Sequence, residues 1–175
     1  MFAFSTGCGA YVIVGIFLPC YNIKTKWIHM TPGERRRIML VRNCSGGIVF
    51  HDDSVLLLCN EKSEWCFPKG VIRSVEKPED VALERVSTES GIHAVILSPA
   101  GRTNYEFYSI TRQRPVCNKI VWYVMKALDT DVVPNSSQNF SSGAFYSIKE
   151  ALDMVTYSQD KSLLMLAYQR YKELV

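Results

Sequence analysis

The chain has 175 residues, 47% of them apolar and 21% charged, with a formal net charge of +3. Those values fit one soluble globular domain with a short extension and exclude a collagen-like, disordered or disulfide-dense chain. The positive balance is too small to argue for a nucleic-acid partner, so no DNA binding is expected.

The first 23 residues carry no charged side chain, and Ala10–Leu18 is almost wholly apolar. That run is short for a bilayer span, Gly15 and Pro19 interrupt it, and no positive charge precedes it as a signal peptide would require. An extra leading segment is the favoured reading. A membrane anchor through residues 1–23 is the alternative; Lys24, Lys26 and Arg35–Arg37 would then hold the main domain on the cytoplasmic side. That basic cluster otherwise reads as a solvated face. Thr31-Pro32-Gly33-Glu34 reads as a turn, so an N-terminal extension is expected over 1–35 and the main domain over 36–175.

From Arg36 onward the pattern becomes strand-like. Ile38–Val41 and Gly47–Phe50 are apolar runs parted by Asn43–Gly46, and His51-Asp52-Asp53 turns into a strand at Ser54–Cys59. Its Val55–Leu58 run suits burial on both faces. Trp65–Phe67 is a short strand broken by Pro68-Lys69-Gly70. Pro78 suits the first turn of a helix, Glu79 and Asp80 favour its positive end, and Gly91 supplies the stop. Val81, Ala82 and Val86 give that helix its apolar stripe. Strands are expected at Ile92–Leu97, Asn104–Ser109 and Lys119–Lys126, with a hairpin loop at Thr111–Asn118. A turn-rich loop over Asp129–Ser142 leads to a short strand at Phe145-Tyr146. Closing helices follow at Ile148–Val155 and Lys161–Leu174. Strands on either side of one central helix, with terminal helices, imply an α/β/α sandwich around a mixed sheet. The six cysteines form no C-x-x-C pair and have no histidine at zinc-ligand spacing, which points to a reducing, cytoplasmic setting.

One stretch organises the rest. Gly70 is followed after five residues by Glu76, and after seven more by a charged segment that closes on Glu89-Ser90-Gly91-Ile92. This spacing resembles the Nudix box: glycine, five residues, glutamate, seven residues, then Arg-Glu-apolar-x-Glu-Glu-x-Gly-apolar. The likeness extends on both sides. Ser45–Phe50, Val55–Leu58, Trp65–Gly70, Arg102–Tyr105, Asn118–Tyr123 and Phe145–Ala151 resemble, in order, the asymmetrical diadenosine tetraphosphate hydrolases and their relatives the diphosphoinositol polyphosphate phosphohydrolases. The resemblance implies the same sandwich fold and a Mg²⁺-dependent pyrophosphohydrolase.

In that family three carboxylates on one helix face ring the metal. Here the three positions hold Arg85, Thr88 and Glu89. Mg²⁺ takes hard oxygen ligands and lowers the pKa of the attacking water, so two lost carboxylates and one added cation imply a site that is weak in metal or has lost it. Glu84 cannot substitute, because one step along a helix turns a side chain by about 100°. The resemblance makes Glu89 and Glu76 the catalytic candidates, with Glu89 as metal ligand. The alternatives are an Arg85–Glu89 salt bridge and a loop-stabilising Glu76. The family's further glutamate aligns with Asn139; Asp131 or Glu106 would have to approach instead. Lys69, Arg42 and Arg85 are candidates for phosphate oxygens, and Tyr105 and Trp122 for stacking a base; packing within the sheet is the alternative for both aromatics. Gly70 and Gly91 have structural roles first, and His51 and His93 read as surface or turn residues. The expected function is binding of an anionic ligand, a nucleotide or inositol polyphosphate, with weak or no hydrolysis. An active pyrophosphohydrolase of dinucleoside polyphosphates or diphosphoinositol polyphosphates is the alternative, and a tethered interaction scaffold a third reading.

Overall fold

The computed structural model describes residues 39–175. The expectations for the extension, its apolar run, its basic cluster and its turn lie outside the described residues. Strands β1 (Leu40–His51), β2 (Ser54–Asn60), β3 (Trp65–Cys66) and β4 (Lys69–Val71) precede helix α1 (Pro78–Ser90). Strands β5 (Ala94–Ser109), β6 (Arg114–Ala127) and β7 (Phe140–Ser147) follow it, and helices α2 (Ile148–Met154) and α3 (Ser158–Leu174) close the chain.

The strands form one mixed sheet in the order β3-β2-β1-β6-β5, with β4 also on β1 and β7 on β2. β1 runs parallel to β6 from Leu40↔Val116 to Phe50↔Lys126 and antiparallel to β2 and β4. Side chains alternate across a strand, and the core divides accordingly. Ile48, Phe50, Val55, Leu57, Trp122 and Val124 face Ala151 of α2 and Leu163, Leu164, Ala167 and Tyr171 of α3. Val49, Leu56, Leu58, Tyr123 and Met125 face Ala82 and Val86 of α1. The result is the expected sandwich, with α1 on one side of the sheet and α2 and α3 on the other.

Several strands run further than their local sequence suggests. Asn43–Gly46 is the middle of β1, because β4 pairs with it on one side and β6 on the other. The expected strands Ile92–Leu97 and Asn104–Ser109 merge into a single strand, β5, which starts only at Ala94 and shifts register against β6 between Ile96 and Ser98 and between Pro99 and Gly101. The hairpin loop shrinks to Ile110–Gln113, closed by the Gln113 N–H on the Ile110 carbonyl at 3.2 Å. Pro68-Lys69-Gly70 does not end the sheet, since Lys69–Val71 is itself paired to β1.

Both ends of α1 follow their sequence signals. Pro78 opens it with Glu79 and Asp80 in the first turn, and Gly91 ends it at φ +78°, its N–H on the Ser87 carbonyl. α2 starts on a capping box between Ser147 and Glu150.

Candidate functional site

Short β4 and the C-terminal turns of α1 build the site together. Backbone bonds clamp β4 to β1: the Gly47 N–H donates to the Pro68 carbonyl at 3.2 Å and the Ile72 N–H to the Asn43 carbonyl at 2.9 Å. The helix brings Glu89 up to this strand, where its Oε2 accepts from the Lys69 N–H at 3.2 Å. Arg85, one turn earlier, lies over Gly70, whose missing Cβ makes the room for it. Its guanidinium reaches Gln138 Oε1 at 3.3 Å and stands 3.9 Å from Glu89 Oε1.

Glu89 is only 4% exposed. Burial pushes its carboxyl up to about 7, against the opposing charges of Arg85 and Lys69 and the Lys69 N–H. Lys69 is half-buried, and its Nζ donates to the Phe67 carbonyl at 3.4 Å. Burial pulls its ammonium down, but Cys66, Tyr105, Asp160 and Glu89 outweigh that and hold it above the usual lysine range. Lys69 and Glu89 line a cleft of about 250 Å³ with Glu61, Lys62, Cys66, Gln138 and Asn139. Asn139, in the left-handed region at φ +65°, accepts the Glu61 N–H on its backbone carbonyl.

The other candidates fall elsewhere. Glu76 is exposed and folds onto its own loop, its Oε2 accepting the Arg73 N–H at 2.7 Å. Arg42 donates to Asn118 Oδ1 at 2.8 Å, and Asn118 Nδ2 donates to the Tyr105 hydroxyl at 2.6 Å. That relay holds Arg42 and a half-buried Tyr105 on the sheet face opposite α1. Trp122 is on the same face but is 1% exposed, its indole N–H on Thr103 Oγ1 at 2.7 Å and its ring edge-on to Phe67. Packing of this kind closes Trp122 to a stacking base. Thr88 and Glu84 are exposed. Asp131 lies in a different depression with His51 and Phe145, and Glu106 is exposed on β5. His93 pairs at the surface with Asp129, 2.8 Å away.

Two residues that sequence reading passed over act here. Asn118 is the buried link of the Arg42–Tyr105 relay. Asp160, in the first turn of α3, is buried, and its carboxyl is pushed up by burial against the Lys69 charge. An acid on the apolar stripe that Leu163, Leu164 and Ala167 define was its available signal.

Among the described residues no three His, Cys, Asp or Glu side chains cluster to hold a metal ion. The single buried carboxylate at the box is engaged by the Lys69 N–H and faced by a guanidinium, and this donor set does not fit Mg²⁺. Two ammonium groups, Lys62 and Lys69, and two carboxyl groups, Glu61 and Glu89, line the cleft, and the Arg85 guanidinium stands beside Glu89.

A family model described as NUDIX domain matches residues 35–166. The chain is 28% identical over 103 residues to MutT4 of Mycobacterium tuberculosis, covering 59% of this chain and 40% of that protein, so it spans well under half of the relative's length. A NUDIX hydrolase structure from Nitrosomonas europaea superposes with a TM-score of 0.60 at 16% identity, over 77% of this chain and 74% of the other. A C. elegans Ap4A hydrolase binary complex gives 0.57 at 16% identity, over 75% and 98%. A MutT protein from Methanosarcina mazei Go1 gives 0.60 at 17%, over 77% and 97%. At these identities the structures establish a shared fold.

Proposed function

The chain belongs to the NUDIX domain family, and from that premise we propose that it binds a nucleotide-type polyphosphate in the Lys69–Glu89 cleft with weak or no hydrolysis. Relatives in the family act on nucleotide-type substrates and generally use a divalent metal. What sets this chain apart is Arg85. It occupies the helix face where the family pattern has a carboxylate and lies beside the one carboxylate left there. A cation in that position repels a divalent metal and attracts the phosphates the metal would have neutralised. Lys69 adds a second positive charge, and Tyr105, whose hydroxyl accepts from Asn118, is the aromatic candidate for a base. The ligand class is a nucleoside diphosphate-linked compound, a dinucleoside polyphosphate or a diphosphoinositol polyphosphate. Cys44, Cys59, Cys66 and Cys117 are free thiols, which supports a reducing, cytoplasmic setting.

The test is a panel of dinucleoside polyphosphates, sugar nucleotides and diphosphoinositols, assayed with and without Mg²⁺. At least one compound should raise the melting temperature without being consumed. Lys69→Ala should weaken its binding by about 1.5–3 kcal/mol, the worth of a charged hydrogen bond. Brisk Mg²⁺-dependent turnover by the native protein would overturn this reading and restore the active pyrophosphohydrolase.

A further inference from the structure

A second cleft, of about 610 Å³, opens on the α1 side of the sheet, between the paired ends of β1, β6 and β5 and the start of α1. It is separate from the Lys69–Glu89 cleft. Pro78 marks one end of α1 and Glu89 the other, and a helix rise of about 1.5 Å per residue puts them roughly 16 Å apart. Its volume falls in the range of small-molecule pockets.

Register explains its floor. Asn104 of β5 pairs with Lys119 of β6, and Lys119 pairs with Asn43 of β1, so three polar side chains stand in a row across neighbouring strands. One step along the same face, Arg102 pairs with Val121. The face is that of Tyr123 and Met125, which pack against α1, and it is opposite to the face carrying Tyr105 and Asn118. Ile72 and Pro78, at the two ends of the box loop, supply an apolar wall.

The charge is one-sided. Arg102 and Lys119 both line the cleft, and no Asp or Glu does. Among the described residues neither cation makes a hydrogen bond or an ion pair through its side chain. Glu79, in the first turn of α1, is bonded instead to the Tyr123 hydroxyl at 2.9 Å. Two exposed, unpartnered cations set diagonally across a strand pair are within reach of one anion placed between them.

We propose that this cleft is a second anion site that takes a nucleoside monophosphate, with Arg102 and Lys119 on the phosphate. Arg and Lys are the phosphate-binding side chains, Arg in bidentate fashion and Lys as a point charge. The carboxamide of Asn43, next to Ile72, matches the donor–acceptor edge of a base, as Asn does with adenine. The apolar wall of Ile72 and Pro78 covers the flat ring. Because the Asn43 carbonyl anchors the Ile72 N–H, the occupant touches the residue that holds the start of the box loop. This inference stands on residues that the Lys69–Glu89 reading does not use.

The experiment uses the full chain carrying Lys69→Ala, which weakens the other cleft, with AMP as the probe in titration calorimetry. One AMP per chain should bind, more weakly as salt rises. Adding Arg102→Gln and Lys119→Gln should weaken AMP at least tenfold; both residues are exposed, so an unchanged melting temperature certifies the fold. Inorganic phosphate and adenosine, titrated separately, should each bind at least tenfold more weakly than AMP. No AMP binding to the Lys69→Ala chain, or AMP binding unchanged by the two glutamines, would overturn the site. Phosphate alone binding as tightly as AMP would overturn the nucleotide assignment, and adenosine alone doing so would overturn the role of the two cations.

Discussion

Arg85 is where this chain parts from the pattern it otherwise follows. Residues at i, i+3 and i+4 share a helix face, and the Arg85–Glu89 approach puts both on one. Rebuilding the carboxylates is therefore a direct test. Arg85→Glu with Thr88→Glu, together with Glu84→Arg to avoid a new pair of adjacent acids, should raise Mg²⁺ affinity and give measurable turnover on a diphosphate-linked nucleotide. A folded triple variant with no gain in metal affinity, read by calorimetry, would refute the geometry. Glu89 carries a second prediction. Its carboxyl moves from 4.5 when unfolded to about 7 when folded. Between those values the folded state holds a proton that the unfolded state has lost, so the Glu89 contribution to stability is fully present below that window and is lost as pH rises through it. Asp160, also raised, acts with the same sign. The melting temperature should fall between about pH 5 and about pH 8. Glu89→Gln should remove much of the fall, by at most about 3 kcal/mol; an equally steep fall in that variant would show that Glu89 is not its source. The box residues were legible because their spacing is local. Asn118 and Asp160 were not, because only the sheet register and the docking of α3 bring them to Tyr105 and Lys69.

At the scale of elements, legibility followed the same division. α1 could be read from its own ends, Pro78 and Gly91, whereas the capping box that starts α2, Ser147 with Glu150, was left unread. The strands were harder where turn residues sit inside them. Asn43-Cys44-Ser45-Gly46 looks like a break, yet it is part of β1, with Cys44, Ser45 and Gly46 buried. Gly46 is there because space is absent: an added Cβ would meet Trp122 at 2.5 Å and the Pro68 carbonyl oxygen at 2.6 Å. Close approach of β4 to β1 needs that hydrogen atom, and a local pattern cannot reveal a neighbour that is distant in sequence. Gly46→Ala should therefore lower stability by about 1–3 kcal/mol, the usual cost of overpacking, measured by urea denaturation. A neutral result would mean that β4 can move off β1. Ser147→Ala should cost about 1 kcal/mol in the same assay by removing the cap of α2.

For the whole molecule, the sheet and the two apolar layers raise the question of how much chain they need. Residues 37–175 form a compact unit by themselves. Within it β1 is already paired on both edges, to β6 on one side and to β2 and β4 on the other. Cluster residues from Cys44 to Tyr171 cover both faces of the sheet, with α1 on one and α2 and α3 on the other. A fold whose first strand is internal and paired gains little from chain that precedes it. We therefore predict that deleting Met1 to Met30 leaves a soluble domain whose melting temperature is within a few degrees of the full chain. The same truncation separates the two readings of the apolar run. Equal behaviour of full and truncated chains in a vesicle flotation assay would remove the membrane anchor. Flotation lost with the deletion, the domain still folded, would establish it. Insolubility, or a melting temperature far below that of the full chain, would show that Ala10–Leu18 packs on the domain and that its boundary lies earlier than 36.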